Sequence, residues 1–212
     1  MIWRQPRCEE TWEVSIPRAK AAPLQDPRSS SLPYLLFAIP EASLPSFYRM
    51  NVSVRPARPD DLVALAHLLD EIVAFHHNED PTQFRGPEAA EHTRYLEERF
   101  QDPDAAVFIA EDQGVLAGIA VTVIREAPPF LNPNRFVLLE NLAVATKFRR
   151  TGVGRKLVEA AVLWTRARDM QELDLNVYEF NHSAIRFYEA IGFRTVSRRM
   201  KRTLAPLVET KR

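Results

Sequence analysis

Apolar positions divide the chain near Met50. Beyond it they fall into two alternating periods. Asn51 to Arg55 reads as a strand, and Pro59-Asp60-Asp61 then starts a helix with Leu62, Leu65, Leu68, Leu69, Ile72 and Val73 on one face. A polar loop around His77-Asn78-Glu79-Asp80-Pro81 leads to a second helix over 87–100. Ala105 to Ala110 and Val115 to Ile124 form a hairpin about Asp112-Gln113-Gly114, residues suited to a tight turn. An apolar strand, Phe136 to Val144, follows a proline-marked loop. Next come a helix with Val153, Leu157, Val158, Ala161 and Leu163-Trp164 as its apolar positions, a strand over Leu173 to Val177, a helix N-capped by Asn181, and a closing strand over Phe193 to Leu204. The order β-α-α-β-β-β-α-β-α-β predicts an α/β fold with a mixed sheet between helices.

Residues 1–49 lack such periods. They hold seven of the sixteen prolines and none of the six glycines, and read as a disordered extension. Met50 directly precedes the first strand pattern, so it competes with Met1 as the initiator; a docked arm is the other reading. The expected organisation is an extension (1–49), one domain (50–204) and a short tail (205–212). Formal net charge is zero, and residues 50–212 hold 22 basic against 23 acidic side chains, which argues against a nucleic-acid partner. The arginine-rich closing segment (Arg194, Arg198, Arg199, Lys201, Arg202) then reads as a solvated strand face. No run of eighteen apolar residues suggests a membrane span. The single cysteine, Cys8, excludes an internal disulfide framework and fits a reducing, cytoplasmic setting.

The sharpest chemical signal is Arg149-Arg150-Thr151-Gly152-Val153-Gly154-Arg155, placed between an apolar strand and a helix start. Glycines admit bare backbone to an anion, first-turn N–H groups lack helical acceptors, and arginine adds charge-assisted hydrogen bonds. Leu157 stands where a dinucleotide fingerprint needs a small residue, and Arg155-Lys156-Leu157 departs from a Walker loop. Taken alone, a simple turn with structural glycines competes with phosphate binding. Thirty residues on comes Asn181-His182-Ser183-Ala184-Ile185-Arg186-Phe187-Tyr188-Glu189-Ala190-Ile191-Gly192-Phe193. Together the two segments resemble the GNAT (Gcn5-related N-acetyltransferase) superfamily, which carries Arg/Gln-x-x-Gly-x-Gly/Ala and then Asn-x-x-Ala-x-x-Phe/Leu-Tyr-x-x-x-Gly-Phe in this order. The resemblance is specific over 136–193, looser back to about Asn51, and absent from 1–49.

This resemblance implies an acetyl-CoA-dependent N-acetyltransferase in which an amine attacks directly within a ternary complex. It places the coenzyme A pyrophosphate on Arg149, Arg150, Gly152, Val153, Gly154 and Arg155. Pantetheine would lie along the backbone of Leu142, Ala143 and Val144, the N–H near Val144 serving as oxyanion donor. Asn181 would touch the same arm besides capping its helix. Tyr188 would protonate the leaving thiolate, against the alternative of an ordinary core aromatic. Glu140, among apolar neighbours, would rise in pKa and take the amine proton, or bind the ammonium, or face solvent. His76, His77, Glu79 and Asp80 read as a cluster for a cationic amine or as a solvated loop; adjacent histidines do not suit a helical metal site, so no metal is expected. The expected acceptor is an amine on a small molecule. A protein or peptide N-acetyltransferase and a non-catalytic acyl-CoA-binding sensory module are the alternatives. The family also implies a homodimer.

Overall fold

A computed structural model describes residues 51–202. The extension, Cys8, Met50 and the tail lie outside the described residues. Strand β1 (Val52–Pro56) leads through a 3-10 turn at Pro59–Asp61 into helix α1 (Leu62–Glu79) and then α2 (Ala89–Gln101). Strands β2 (Ala105–Asp112), β3 (Val115–Glu126) and β4 (Arg135–Val144) follow, then α3 (Val153–Ala167), β5 (Leu173–Leu175) and α4 (His182–Ala190). The sheet order is β1-β2-β3-β4-β5; every pair is antiparallel except β4 with β5, which is parallel. The β2–β3 turn carries positive φ at Gln113 (50°) and Gly114 (79°), the geometry that joins right-twisted strands through two residues.

Helices cover both faces. On one, Leu65, Leu68 and Leu69 of α1 and Leu96 of α2 pack on Val107, Ile109, Ile119, Val121 and Ala143. On the other, Val153, Leu157, Val158 and Ala161 of α3 pack on Phe108, Ala110, Ala117, Ala120 and Leu139. β3 lies between, buried on both faces from Ala117 to Ile124. α3 rests close on the sheet because Gly118 has no side chain. A Cβ there would stand 2.6 Å from the Ala143 carbonyl oxygen and 2.9 Å from Leu157.

Three elements differ from the sequence reading. α1 runs on to Glu79, so His76 and His77 occupy its last turn rather than a loop. β5 stops at Leu175, before Asn176 and Val177. Phe193–Arg202, the described part of the expected closing strand, forms no strand. Val196 and Met200 stay exposed there, and five cations crowd the segment, so alternation finds no apolar face to bury. Among the described residues no helix is long and apolar enough to cross a membrane.

Candidate active site

The site is built around an irregularity in β4. Val121 pairs with Asn141 and Thr122 with Leu139, so Glu140 is an extra residue without a partner on β3. Such a bulge exchanges the faces of the strand beyond it. Before it, Leu139 belongs to the α3-side core; after it, Leu142 and Val144 do, while Ala143 joins the α1–α2 side. Pairing of β4 with β5 spans Val137–Leu139 and ends one residue before the bulge. Beyond Leu139 the two strands therefore part.

Backbone direction along the parted segment follows from one bond. The Ala145 N–H donates to Ala117 of β3 at 3.0 Å. Alternation then turns the Ala143 peptide groups towards β3 and those of Leu142 and Val144 towards the open side. The Val144 carbonyl accepts from Arg149 Nε at 3.1 Å, which leaves the Leu142 and Val144 N–H groups and the Leu142 carbonyl along the opening. Ala143, expected alongside them, is committed to the sheet.

At the end of β4 the chain enters a 3-10 turn at Thr146–Phe148, anchored by the buried Phe148 ring. The Thr151 hydroxyl donates to the Phe148 carbonyl at 2.6 Å. Arg150 (φ 63°) and Gly152 (φ 90°) both adopt left-handed backbone, reversing the chain into α3. Gly152 is the N-cap and offers no side-chain acceptor. Lys156 donates back to Gly152 at 3.1 Å, so the preceding first-turn N–H groups of Val153, Gly154 and Arg155 have no helical acceptor. Arg149, Arg150 and Arg155 are exposed, and among the described residues none pairs with a carboxylate. A helix start with free amides and three unneutralised guanidiniums suits a pyrophosphate. The two glycines do different work. Gly152 supplies the positive φ, whereas a Cβ on Gly154 would lie 3.2 Å from the Phe187 ring and 3.6 Å from Val144. Gly154 lets α3, α4 and the end of β4 meet.

On α4, the Asn181 side chain accepts from the Ala184 N–H at 3.1 Å, so the expected cap is present. Tyr188 packs against Phe187 and, edge-on, against Phe193, with ring centroids 5.3 and 5.6 Å away. Its hydroxyl has no hydrogen-bond partner among the described residues, and burial pushes its pKa up to about 12. Tyr188 thus keeps its proton at neutral pH while packing as an aromatic of the α3-side core.

Glu140 departs from expectation. Its side chain is 13% exposed, which excludes the solvent-facing reading. Arg99 Nε donates to it at 2.7 Å, the Tyr95 hydroxyl donates at 2.8 Å, and Arg125 pairs with its other oxygen. Burial alone would raise its pKa, but the hydrogen bonds from Arg99, Tyr95 and Arg125 outweigh burial and hold it below the ordinary carboxylate value. The expected rise is reversed because the bulge aims Glu140 at α2. A carboxylate so occupied is a poor proton acceptor.

The expected polar cluster of His76, His77, Glu79 and Asp80 is also dispersed. His76 stacks on Phe84 (5.0 Å) and meets Tyr178 and Phe180 edge-on, among five rings that tie the end of α1 to the β5–α4 loop. Burial lowers its pKa, so it does not offer a cation. His77 Nδ1 donates to the Phe84 carbonyl at 2.8 Å. Asp80 accepts from Thr82, and Lys201 stands 4.0 Å away. Among the described residues, no three of His, Cys, Asp and Glu are grouped to hold a metal.

Sequence reasoning missed a cleft of about 460 Å³ between α1, α2 and β4, lined by Ile72, Val73, Glu91, His92, Tyr95 and Asn141 among others. One signal was available: the inward face of α2 carries His92, Tyr95 and Arg99 at spacings of three and four, with Leu96 the buried apolar residue. Asn141 Nδ2 donates to the Tyr95 hydroxyl at 2.8 Å, joining this cleft to the parted segment of β4.

Streptothricin acetyltransferase A of Bacillus subtilis (strain 168) is 31% identical over 105 residues, covering 44% of this chain and 61% of that protein. Mycothiol acetyltransferase of Propionibacterium freudenreichii is 29% identical over 158 residues, covering 74% of this chain and 46% of that protein. The chain therefore spans only part of each relative's length. Among solved structures, a mutant form of the BH1408 protein of Bacillus halodurans superposes with TM-score 0.68 at 24% identity, over 72% of this chain and 99% of its own. The aminoglycoside enzyme AAC(6')-Iy, in complex with a bisubstrate analogue of coenzyme A and acetylneamine, superposes with TM-score 0.61 at 22% identity, over 73% and 98%. These last two establish likeness of fold. The sequence matches the Acetyltransferase (GNAT) family over residues 72–193, more than half its length, and the chain belongs to that family.

Proposed function

We propose that this protein is an acetyl-CoA-dependent N-acetyltransferase acting on an amine of a small molecule by direct attack in a ternary complex. The observation that carries the reading is the parted edge of β4, with Leu142 and Val144 facing the opening, beside a helix start bearing three arginines with no carboxylate partner among the described residues. Arg149, Arg150, Arg155 and the free amides at Val153 and Gly154 hold the donor's pyrophosphate. The Leu142 and Val144 backbone aligns its amide-bearing arm, and Asn181 Nδ2 is available to the same arm while its oxygen caps α4. Preorganised N–H donors at Leu142 and Val144 stabilise negative charge developing on the acetyl oxygen. Tyr188, protonated and without a hydrogen-bond partner among the described residues, is the acid for the departing thiolate. Glu140 takes no proton; it fixes the bulge that parts the strands.

Relatives named for streptothricin and mycothiol support a small-molecule amine over a protein side chain. The test is thiol release from acetyl-CoA by the full chain against polyamines, aminoglycosides, amino acids and lysine or N-terminal peptides. Release with a small amine above the amine-free background is expected. Release with peptides alone would favour the protein-acetylating alternative. Donor binding without turnover on any class would favour a sensory module.

A further inference from the structure

The occupied state of Glu140 leaves the amine proton without an acceptor. A primary ammonium has a pKa near ~10 and cannot attack until it loses a proton. Two side chains that line the cleft between α1 and α2 could take it, and Glu91 is already paired with Arg85 at 3.2 Å, which leaves His92. His92 Nδ1 lies 2.6 Å from Asp70 Oδ1, with His92 15% and Asp70 23% exposed. An ionised carboxylate only accepts, so this contact requires Nδ1 to carry the hydrogen, and in the neutral ring Nε2 is then the lone-pair acceptor. Among the described residues Nε2 has no partner, and His92 lines the cleft.

Its position follows from the contacts of α2. Tyr95 reaches Glu140 and Asn141, while Arg99, one turn further on, reaches Glu140 and lies 3.8 Å from Asp102. Arg125, which shares Glu140 with Arg99, pairs in the sheet with Phe136 near the start of β4. Moving towards the C-terminus of α2 is therefore moving towards the start of β4. His92, three residues before Tyr95 and so about 4.5 Å back along the helix, lies towards Leu142–Val144. Within that segment the Leu142 and Val144 N–H groups face the opening.

We propose that His92, oriented by Asp70, is the general base that takes the proton from the acceptor amine; this rests on the acetyltransferase reading above. The ammonium gives a proton to His92 Nε2, which passes it to water. The freed nitrogen lone pair forms the C–N bond to the acetyl carbon, and the C–S bond breaks. The thiolate takes the Tyr188 proton, and the proton shed by the new amide nitrogen restores the phenol. Asp70 is the positioning residue, fixing the tautomer and ring plane. If the pair were only a tie between α1 and α2, its loss would cost stability and leave chemistry alone.

The experiment compares the full chain with His92→Ala, His92→Gln and Asp70→Asn, using the best amine from the panel. Calorimetry follows acetyl-CoA affinity and thermal melts follow folding. Loss of a general base predicts a fall in kcat of about 100-fold or more with donor affinity kept, and partial recovery of His92→Ala by added imidazole. Asp70→Asn should lower kcat without imidazole rescue, because the acceptor tautomer is lost while the ring remains. Should His92→Ala not fold, the near-isosteric His92→Gln carries the kcat test. A kcat within about threefold of the unmodified protein, or a loss that imidazole never relieves in a folded, donor-binding His92→Ala, overturns the proposal. If the unmodified protein binds acetyl-CoA but turns over no amine, the acetyltransferase reading falls first and takes the proposal with it.

Discussion

Substituting Glu140 by glutamine removes a charge on which two guanidiniums and a phenol converge. Arg99 is 16% exposed and Glu140 13%, so this pair is largely shielded from water; Arg125 is 42% exposed and contributes little. Removing one partner of a buried pair costs about 3–5 kcal/mol, since the remaining charge stays desolvated. Glutamine keeps one carbonyl oxygen for the Tyr95 hydroxyl, and Arg99 retains Asp102 at 3.8 Å, so about 3 kcal/mol is expected. For a domain of this size each kcal/mol is worth roughly 2–4 °C, which predicts a fall in Tm of about 6–12 °C. The pH dependence has a definite sign. Glu140 is held below its ordinary value of 4.5, so its contribution is complete above that pH and is lost as pH falls through the depressed value. The gap between parent and Glu140→Gln should close in acid. Thermal melts across the acid range test both statements. A Tm within about 2 °C of the parent at neutral pH, or a gap that persists in acid, would refute the reasoning. An unchanged Tm with kcat reduced about 100-fold would instead restore Glu140 as the base.

Other outcomes follow from the same geometry. Tyr188→Phe should lower turnover about 100-fold with donor affinity unchanged by calorimetry. The acid form of Tyr188 should also persist through pH 10, its pKa being pushed up to about 12. Gly154→Asp presses a Cβ against Phe187 at 3.2 Å and adds negative charge at the helix start, so donor affinity should fall at least about tenfold; undiminished binding would remove the pyrophosphate from this turn. Gly118→Ala forces a Cβ to 2.6 Å from the Ala143 oxygen and should cost about 1–3 kcal/mol in chemical denaturation.

Elements whose signal is local were legible in the sequence. Gly152, Gly154 and the arginines announced a turn into a helix start, Asn181 announced a cap, and Asp112-Gln113-Gly114 announced the hairpin. The apolar stripe of α1 gave its buried face, and Ile72 and Val73 further along it also line the cleft. What was not legible depends on parity or distance. A bulge at Glu140 cannot be read from alternation because Glu140 and Asn141 are both polar, and each faces α2. Without the bulge, Glu140 looks like an isolated carboxylate in an apolar strand, and Ala143 looks equivalent to its neighbours. Asp70 and His92 stand 22 residues apart on separate helices, and only the packing of α1 on α2 unites them. The closing strand failed for a different reason: Phe193, Val196 and Met200 are spaced three and four apart, so neither face of a strand there would be apolar.

The parting of β4 from β5 also bears on how the protein behaves in a tube. Past Leu139 the strand presents main-chain donors and an acceptor along a rim that no other strand among the described residues pairs with. Such a rim is a template for another chain's strand and so a route to self-association on concentration or warming. A ligand that satisfies it acts as a surrogate strand and stabilises the folded form by mass action, about 2.7 kcal/mol at a hundredfold excess over Kd. Light scattering on warming should therefore start later in solutions containing coenzyme A, including its desulfo form that has no thiol to exchange.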